Sequence, residues 1–179
     1  MFKVFSSLVL GFLLFVASSH AANKVVGVGE LCKQTKNPSF CLGLLNSNPG
    51  GKDLVSLGQY TIDVVRANAT NTITLLKSLV AKSGRDPKAN AHYKKCLEHF
   101  ESDEGVLGDI QDTQEALKSG DYLGVNVHAS ALLDEVDDCI SGESPGESPF
   151  PDRSLLPKYG GVMQQITSII LVISKYLAA

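Results

Sequence analysis

Four cysteines, four histidines and two acidic runs are the groups in this chain whose chemistry could matter. Cys32 and Cys41 have eight residues between them, while Cys96 and Cys139 stand far apart. No Cys-x-x-Cys or Cys-x-x-His spacing occurs, so a zinc site is disfavoured and no metal is expected. An even cysteine count suits disulfide pairing. No His or Lys arrangement beside a cysteine suggests a catalytic thiol. His20 lies near the N-terminus. His92 and His99 are seven positions apart, two helical turns, too far to chelate one ion together. His128 has Asp121 seven before it and Asp134 six after it, with no close helical partner. No His-Glu-x-x-His, Gly-x-Ser-x-Gly or phosphate loop is present. Glu101, Asp103 and Glu104, and then Asp134, Glu135, Asp137 and Asp138, could serve as general acids or cation ligands. With no companion site, they read as solvated helix faces. The chain is expected to hold no cofactor and no catalytic residue, which leaves binding or inhibition as the favoured class.

These groups need elements to carry them, and the apolar periodicity is helical from Leu31 to Ile140, with no alternating strand pattern. Residues 28–47 read as two short helices around Thr35-Lys36-Asn37-Pro38, with Pro38 at a first helical position. Asn48-Pro49-Gly50-Gly51 breaks the chain. Asp53 to about Lys82 is a long helix with Leu54, Leu57, Val65, Leu76 and Leu79 on one side. Asp86-Pro87 opens a third helix, as N-cap and first residue. Its apolar line runs through Tyr93, Cys96, Phe100, Leu107, Ile110 and Leu117, and Gly105 and Gly108 weaken it without being expected to break it. Ser119-Gly120-Asp121 is a tight turn into a fourth helix bearing Val125, Ala129, Leu132, Leu133, Val136 and Ile140. Residues 141–157 hold four prolines and two glycines and read as an exposed loop. Tyr159 to Ala178 is a last, very apolar helix. Gln164, Gln165, Ser168, Ser174 and Lys175 interrupt it, so packing in a bundle is expected rather than a membrane anchor. Short connections predict an all-α, up-down-up-down four-helix bundle with an N-terminal helical hairpin.

The first 22 residues stand apart. Lys3, the apolar stretch Leu8–Val16 and Ser19-His20-Ala21-Ala22 have the order of a secretory signal peptide. The expected domains are therefore 1–22, a signal, and 23–179, the folded bundle. Export to an oxidising extracellular compartment favours two disulfides. Cys32 and Cys41 flank the hairpin turn, and Cys96 and Cys139 flank Ser119-Gly120-Asp121, so Cys32–Cys41 and Cys96–Cys139 are the expected pairs. Cys96 is 23 residues before Ser119 and Cys139 is 18 after Asp121. That difference is ~7.5 Å of helical rise, which a longer turn or a bend must absorb. Removing the signal takes Lys3 and no acid, moving the net charge from −3 to −4. An acidic chain is not expected to bind nucleic acid. Asn68-Ala69-Thr70 is a candidate N-glycosylation sequon, placed near the edge of an apolar face.

The stretch Leu31-Cys32-Lys33-Gln34-Thr35-Lys36-Asn37-Pro38-Ser39-Phe40-Cys41-Leu42 resembles the opening motif of the plant invertase/pectin methylesterase inhibitor family. Ala116-Leu117-Lys118-Ser119-Gly120-Asp121-Tyr122, then Asp138-Cys139, and finally Ile169–Ser174 resemble its later segments. The resemblance implies a four-helix bundle with a hairpin and the same two disulfides. It implies a partner that is either pectin methylesterase or, alternatively, acid invertase. The Pro-Lys-Phe element of many invertase inhibitors is missing, since Tyr122-Leu123-Gly124 follows Gly120-Asp121. Asp53–Asp63 and the Tyr122…Asn126…Ala129-Ser130 pattern look closer to kiwifruit-type pectin methylesterase inhibitors. The implied mechanism is a one-to-one complex covering the esterase's pectin-binding cleft. Asn126 matches a contact position of that family, and the implied interface comprises Glu98, Ser102, Tyr122, Asn126 and Asp138. Ser102 and Ser141 stand where the kiwifruit type has acids, and Asp138 where it has Thr. The implied location is the apoplast, where acidity would make affinity pH-dependent by protonating interfacial carboxylates. A secreted structural or ligand-carrying bundle is the third expectation.

Overall fold

The computed structural model describes residues 26–142 and 150–179. The expected signal segment, and residues 143–149 of the expected loop, lie outside the described residues. Seven helices follow in order among the described residues: α1 (Val28–Cys32), α2 (Pro38–Asn46), α3 (Leu54–Lys82), α4 (Pro87–Glu101), α5 (Val106–Ser119), α6 (Tyr122–Ser141) and α7 (Leu156–Ala178).

Local chemistry sets most boundaries. Asn37 caps α2 by accepting from the Phe40 amide (3.2 Å), and Pro38 follows at N1. Asp53 caps α3 by accepting from the Ser56 amide (3.0 Å) and hydroxyl (2.7 Å), bonds that hold its carboxyl below its usual pKa. Asp86 accepts from the amides of Lys88 and Ala89, both at 3.1 Å, and opens α4. Gly120 ends α5 at φ 77°, a left-handed conformation that costs glycine little. Asp121 then accepts from the Gly124 amide at 2.9 Å and starts α6.

The third leg departs from expectation. It is two helices, α4 and α5, separated at Ser102–Gly105. Gly105 and Gly108 are required by this break as well as weakening the helix. A Cβ on Gly105 would lie 2.2 Å from the His99 carbonyl oxygen, and one on Gly108 1.9 Å from that of Asp103. The chain folds back so tightly that only hydrogen fits. This departure from the helical path also takes up the height difference between Cys96 and Cys139, whose Cα atoms lie 4.7 Å apart in a disulfide. Cys32 and Cys41 are bonded as well, with a Cα separation of 5.4 Å, and tie α1 to α2.

The four legs α3, α4 with α5, α6 and α7 enclose the main core, with Ile62, Phe100, Ile110, Leu132, Met163 and Ile166 fully buried at its centre. A second cluster joins the hairpin to the bundle, through Leu31 and Leu45 against Leu54, Leu57, Ile169 and Ile173. Asn37 also donates to Gln165 on α7 (2.8 Å), fixing the hairpin's angle. The structure is an up-down-up-down four-helix bundle. By length and composition α7 could cross a membrane, but Met163, Ile166, Ile170 and Ile173 are buried in the two cores.

Candidate functional site: two clefts flanking α6

Helix α6 buries Val125, Ala129, Leu132, Val136 and Cys139. The opposite stripe, about 180° away at 100° per residue, begins with Leu123 and Val127 and ends with Asp134 and Asp138. Leu123 is 72% exposed and Val127 64%, more than any other large apolar side chain among the described residues. The outward face of α6 is thus apolar at its N-terminal half and acidic at its C-terminal half.

A cleft lies on each side. Between α6 and α7 an open groove of about 600 Å³ is lined by Tyr122, Leu123, Asn126, Leu171, Val172 and Lys175, among others. Asn126 Nδ2 donates to Ser174 Oγ across it (3.1 Å), and Gln34 donates to the Tyr176 hydroxyl at its rim. Between α4 and α6 a second cleft of about 610 Å³ is lined by Lys95, Glu98, His99, Ser102, Asp103, Glu104 and Glu135. The five residues that the family resemblance implies for the interface are therefore not one patch. Tyr122 and Asn126 belong to the apolar groove, Glu98 and Ser102 to the charged cleft, and Asp138 lines neither. Along α6, Tyr122 and Asp138 are ~24 Å apart.

The histidines show what the sequence reading missed. Each of the three beyond the N-terminal segment faces a carboxylate on another element. His99 Nδ1 lies 2.6 Å from Glu135 Oε2, linking α4 to α6. His128 Nδ1 lies 3.7 Å from Asp112 Oδ2, linking α6 to α5. His92 Nε2 lies 3.9 Å from Asp152 Oδ2, and its ring stacks on Phe150 at 4.5 Å. Burial pushes His92 below the usual imidazole pKa, and Asp152 pulls it part of the way back. The Tyr93 hydroxyl donates to Asp152 Oδ1 (2.9 Å), and burial with this neighbouring charge raises its pKa. The expectation that His128 lacks a close partner holds only for its own helix. Its partner is 16 residues away in sequence, where no periodic signal reaches.

The acidic runs likewise do more than face solvent. Glu101 binds Lys77 of α3 (2.7 Å), Asp137 accepts from Gln164 of α7 (3.1 Å), and Glu135 holds His99. Asp109 is different again. It is 8% exposed, in the first turn of α5, and its Oδ2 is buried without a hydrogen-bond partner among the described residues. Burial first, and then the charge of Glu135, push its carboxyl up to about 6. Asn68 is half-buried on α3 and turns its Nδ2 to the Val64 carbonyl (2.9 Å).

No group of three or more His, Cys, Asp or Glu side chains is placed to hold a metal ion among the described residues. The two cysteines near the His–carboxylate pairs are bonded to each other and offer no thiol. What this surface offers is shape, an apolar stripe and charge, the equipment of a helical binding protein.

Comparison with known proteins gives that class its family. The chain belongs to the plant invertase/pectin methylesterase inhibitor family, whose sequence profile matches residues 27–173. It is 37% identical over 131 residues to pectinesterase inhibitor 1 of Arabidopsis thaliana, covering 73% of this chain and 72% of that protein. It is 34% identical over 152 residues to the pectinesterase inhibitor of Actinidia deliciosa, the kiwifruit, covering 84% and 78% respectively. The crystal structure of a mutant form of a pectin methylesterase inhibitor from Arabidopsis superposes with a TM-score of 0.69 at 33% identity, over 81% of this chain and 93% of that one.

Proposed function

We propose that this protein is a secreted inhibitor of plant pectin methylesterase that binds one-to-one over the enzyme's pectin-binding cleft. The observation that carries the reading is the likeness, over most of the chain, to proteins named pectinesterase inhibitors, together with crystal structures of that kind at TM-scores of 0.69 and 0.61. Inhibition is steric. A rigid disulfide-tied bundle presents the outward face of α6, and no group of the inhibitor reacts. The acidic half of that face, with Glu98 and Glu135 beside it, favours a basic partner and speeds encounter.

The start of α6 supports the esterase over acid invertase. Tyr122-Leu123-Gly124 occupies the place of the Pro-Lys-Phe element, directly after the cap Asp121. Residues 1–22 act as the signal peptide, and the mature protein works in the cell wall. Any glycan on Asn68 is added before α3 forms, since the folded side chain is turned to Val64.

The test is direct. The mature chain is mixed with purified pectin methylesterase and, separately, with acid invertase, and residual activity is followed alongside gel filtration. Loss of esterase activity with a one-to-one complex is the expected result. Inhibition of invertase alone overturns the assignment to the esterase. Failure to bind either enzyme overturns inhibition itself in favour of a structural or ligand-carrying bundle.

A further inference from the structure

Asp109 has no part in covering an enzyme, yet its placement is costly. A carboxyl this buried normally finds a hydrogen-bond donor for each oxygen, and an unpaired oxygen is penalised more heavily when it carries charge. Its Oδ2 has no partner among the described residues. The groups facing it are mostly of its own sign: Glu135 and Asp134 from α6 and Asp112 from α5, against His128 from α6. Lys95 of α4 lines the same cleft as Glu135. Arg66 of α3 donates to Gln114 at 2.8 Å, and Lys77 of α3 pairs with Glu101 of α4 at 2.7 Å. Meanwhile Glu135, the anion that Asp109 opposes most, is the one that reaches over to His99 on α4 (2.6 Å). Asp109 also lies in the first turn of α5, the helix that begins after the Ser102–Gly105 break.

We propose that Asp109 is a proton-operated latch for the α4–α5–α6 side of the bundle: protonated, it leaves Glu135 free to hold His99 and close the break; ionised, it opposes Glu135 from within and loosens the break. The latch is a property of the fold and does not depend on which enzyme is bound. Its sense follows from linkage. The folded carboxyl titrates at about 6, above the unfolded value of 3.8, so the folded chain holds more protons between those limits. Stability contributed by this group is present in acid and is lost as pH rises towards 6 and beyond. This group therefore holds the break most firmly in acid, beside the cleft that carries Glu98 and Ser102.

Thermal unfolding of the mature chain and its Asp109→Asn variant tests this. At about pH 3, below the unfolded value, the two should melt together, and at about pH 7.5 the variant should melt about 3–8 °C higher, because its amide cannot ionise. Parallel melting profiles across that range overturn the proposal. Should Asp109→Asn fail to fold, amide exchange of the unaltered chain decides. After correction for intrinsic rates, residues 102–110 should exchange about tenfold faster at the higher pH. Equal protection at both pH values overturns the latch.

Discussion

On its α7 side, α6 meets a close apolar seam. Val136 and Ile140 crowd Gly160, where a Cβ would come within 2.9 Å of Ile140, and the polar contacts that cross are Asn126 to Ser174 and Gln164 to Asp137. On its other side, α6 is joined to α4 and α5 by a disulfide and two histidine–carboxylate pairs, over a buried acid. The first seam draws on burial, which involves no titrating group. The second draws on charge, which pH and salt alter, and on a covalent bond, which a reductant breaks. One helix thus has a constant side and a conditional side, and the conditional one contains the break in the third leg.

The largest test of this contrast is covalent. Replacing Cys96 and Cys139 by Ala should cost about 4 kcal/mol in urea unfolding, against about 2.5 kcal/mol for the Cys32 and Cys41 pair, because the bridge closes a longer loop. A larger loss at the hairpin would mean that the α4–α6 side holds itself together without its bridge. Next comes the constant side. Ile166→Ala, at a site 1% exposed, should cost about 3 kcal/mol and by the same amount at acid and neutral pH. A pH-dependent loss there would dissolve the distinction between the seams.

Glycines give a third and sharper comparison. Gly108→Ala drives a Cβ to 1.9 Å from a backbone oxygen, so strain of about 2 kcal/mol outweighs the better helix propensity of alanine. Gly161→Ala on α7 meets nothing within 4 Å, so propensity acts alone and the variant should gain up to about 1 kcal/mol. Equal and opposite melting shifts are not required, but the signs must differ.

The helix order, the cap Asp86, the turn Ser119-Gly120-Asp121 and the apolar lines were readable in the sequence because each is a local pattern. The break at Ser102–Gly105 was not. Glycine marks permissiveness, but whether the chain uses it depends on the backbone oxygens of His99 and Asp103 arriving from the preceding turn. The candidate site was legible in pieces. The family motifs name Tyr122, Asn126, Glu98 and Ser102, but only the packing of α6 shows that they line opposite flanks. The histidine partners Glu135, Asp112 and Asp152 lie 36, 16 and 60 residues from their histidines, beyond any helical period. Asp109 sits on the buried stripe of α5 beside Val106, Ile110 and Thr113, and a charged residue in that stripe was the one available sign of it.

The two flanks should also differ in how they act on a bound esterase, with smaller effects than those on folding. Tyr122→Ala removes a rigid ring from the apolar groove and should raise the dissociation rate about tenfold, with little dependence on salt. Glu98→Gln removes one exposed charge from the other cleft without changing its shape. Its effect should fall on the association rate, about two- to threefold at low ionic strength, and vanish as salt shortens the Debye length. Rates measured for both variants at low and high salt separate the flanks, because shape lost from a contact cannot be screened and a steering charge can. If Tyr122→Ala slows association in a salt-dependent way while Glu98→Gln alters only dissociation, the roles are exchanged, and the acidic cleft is the one that touches the enzyme.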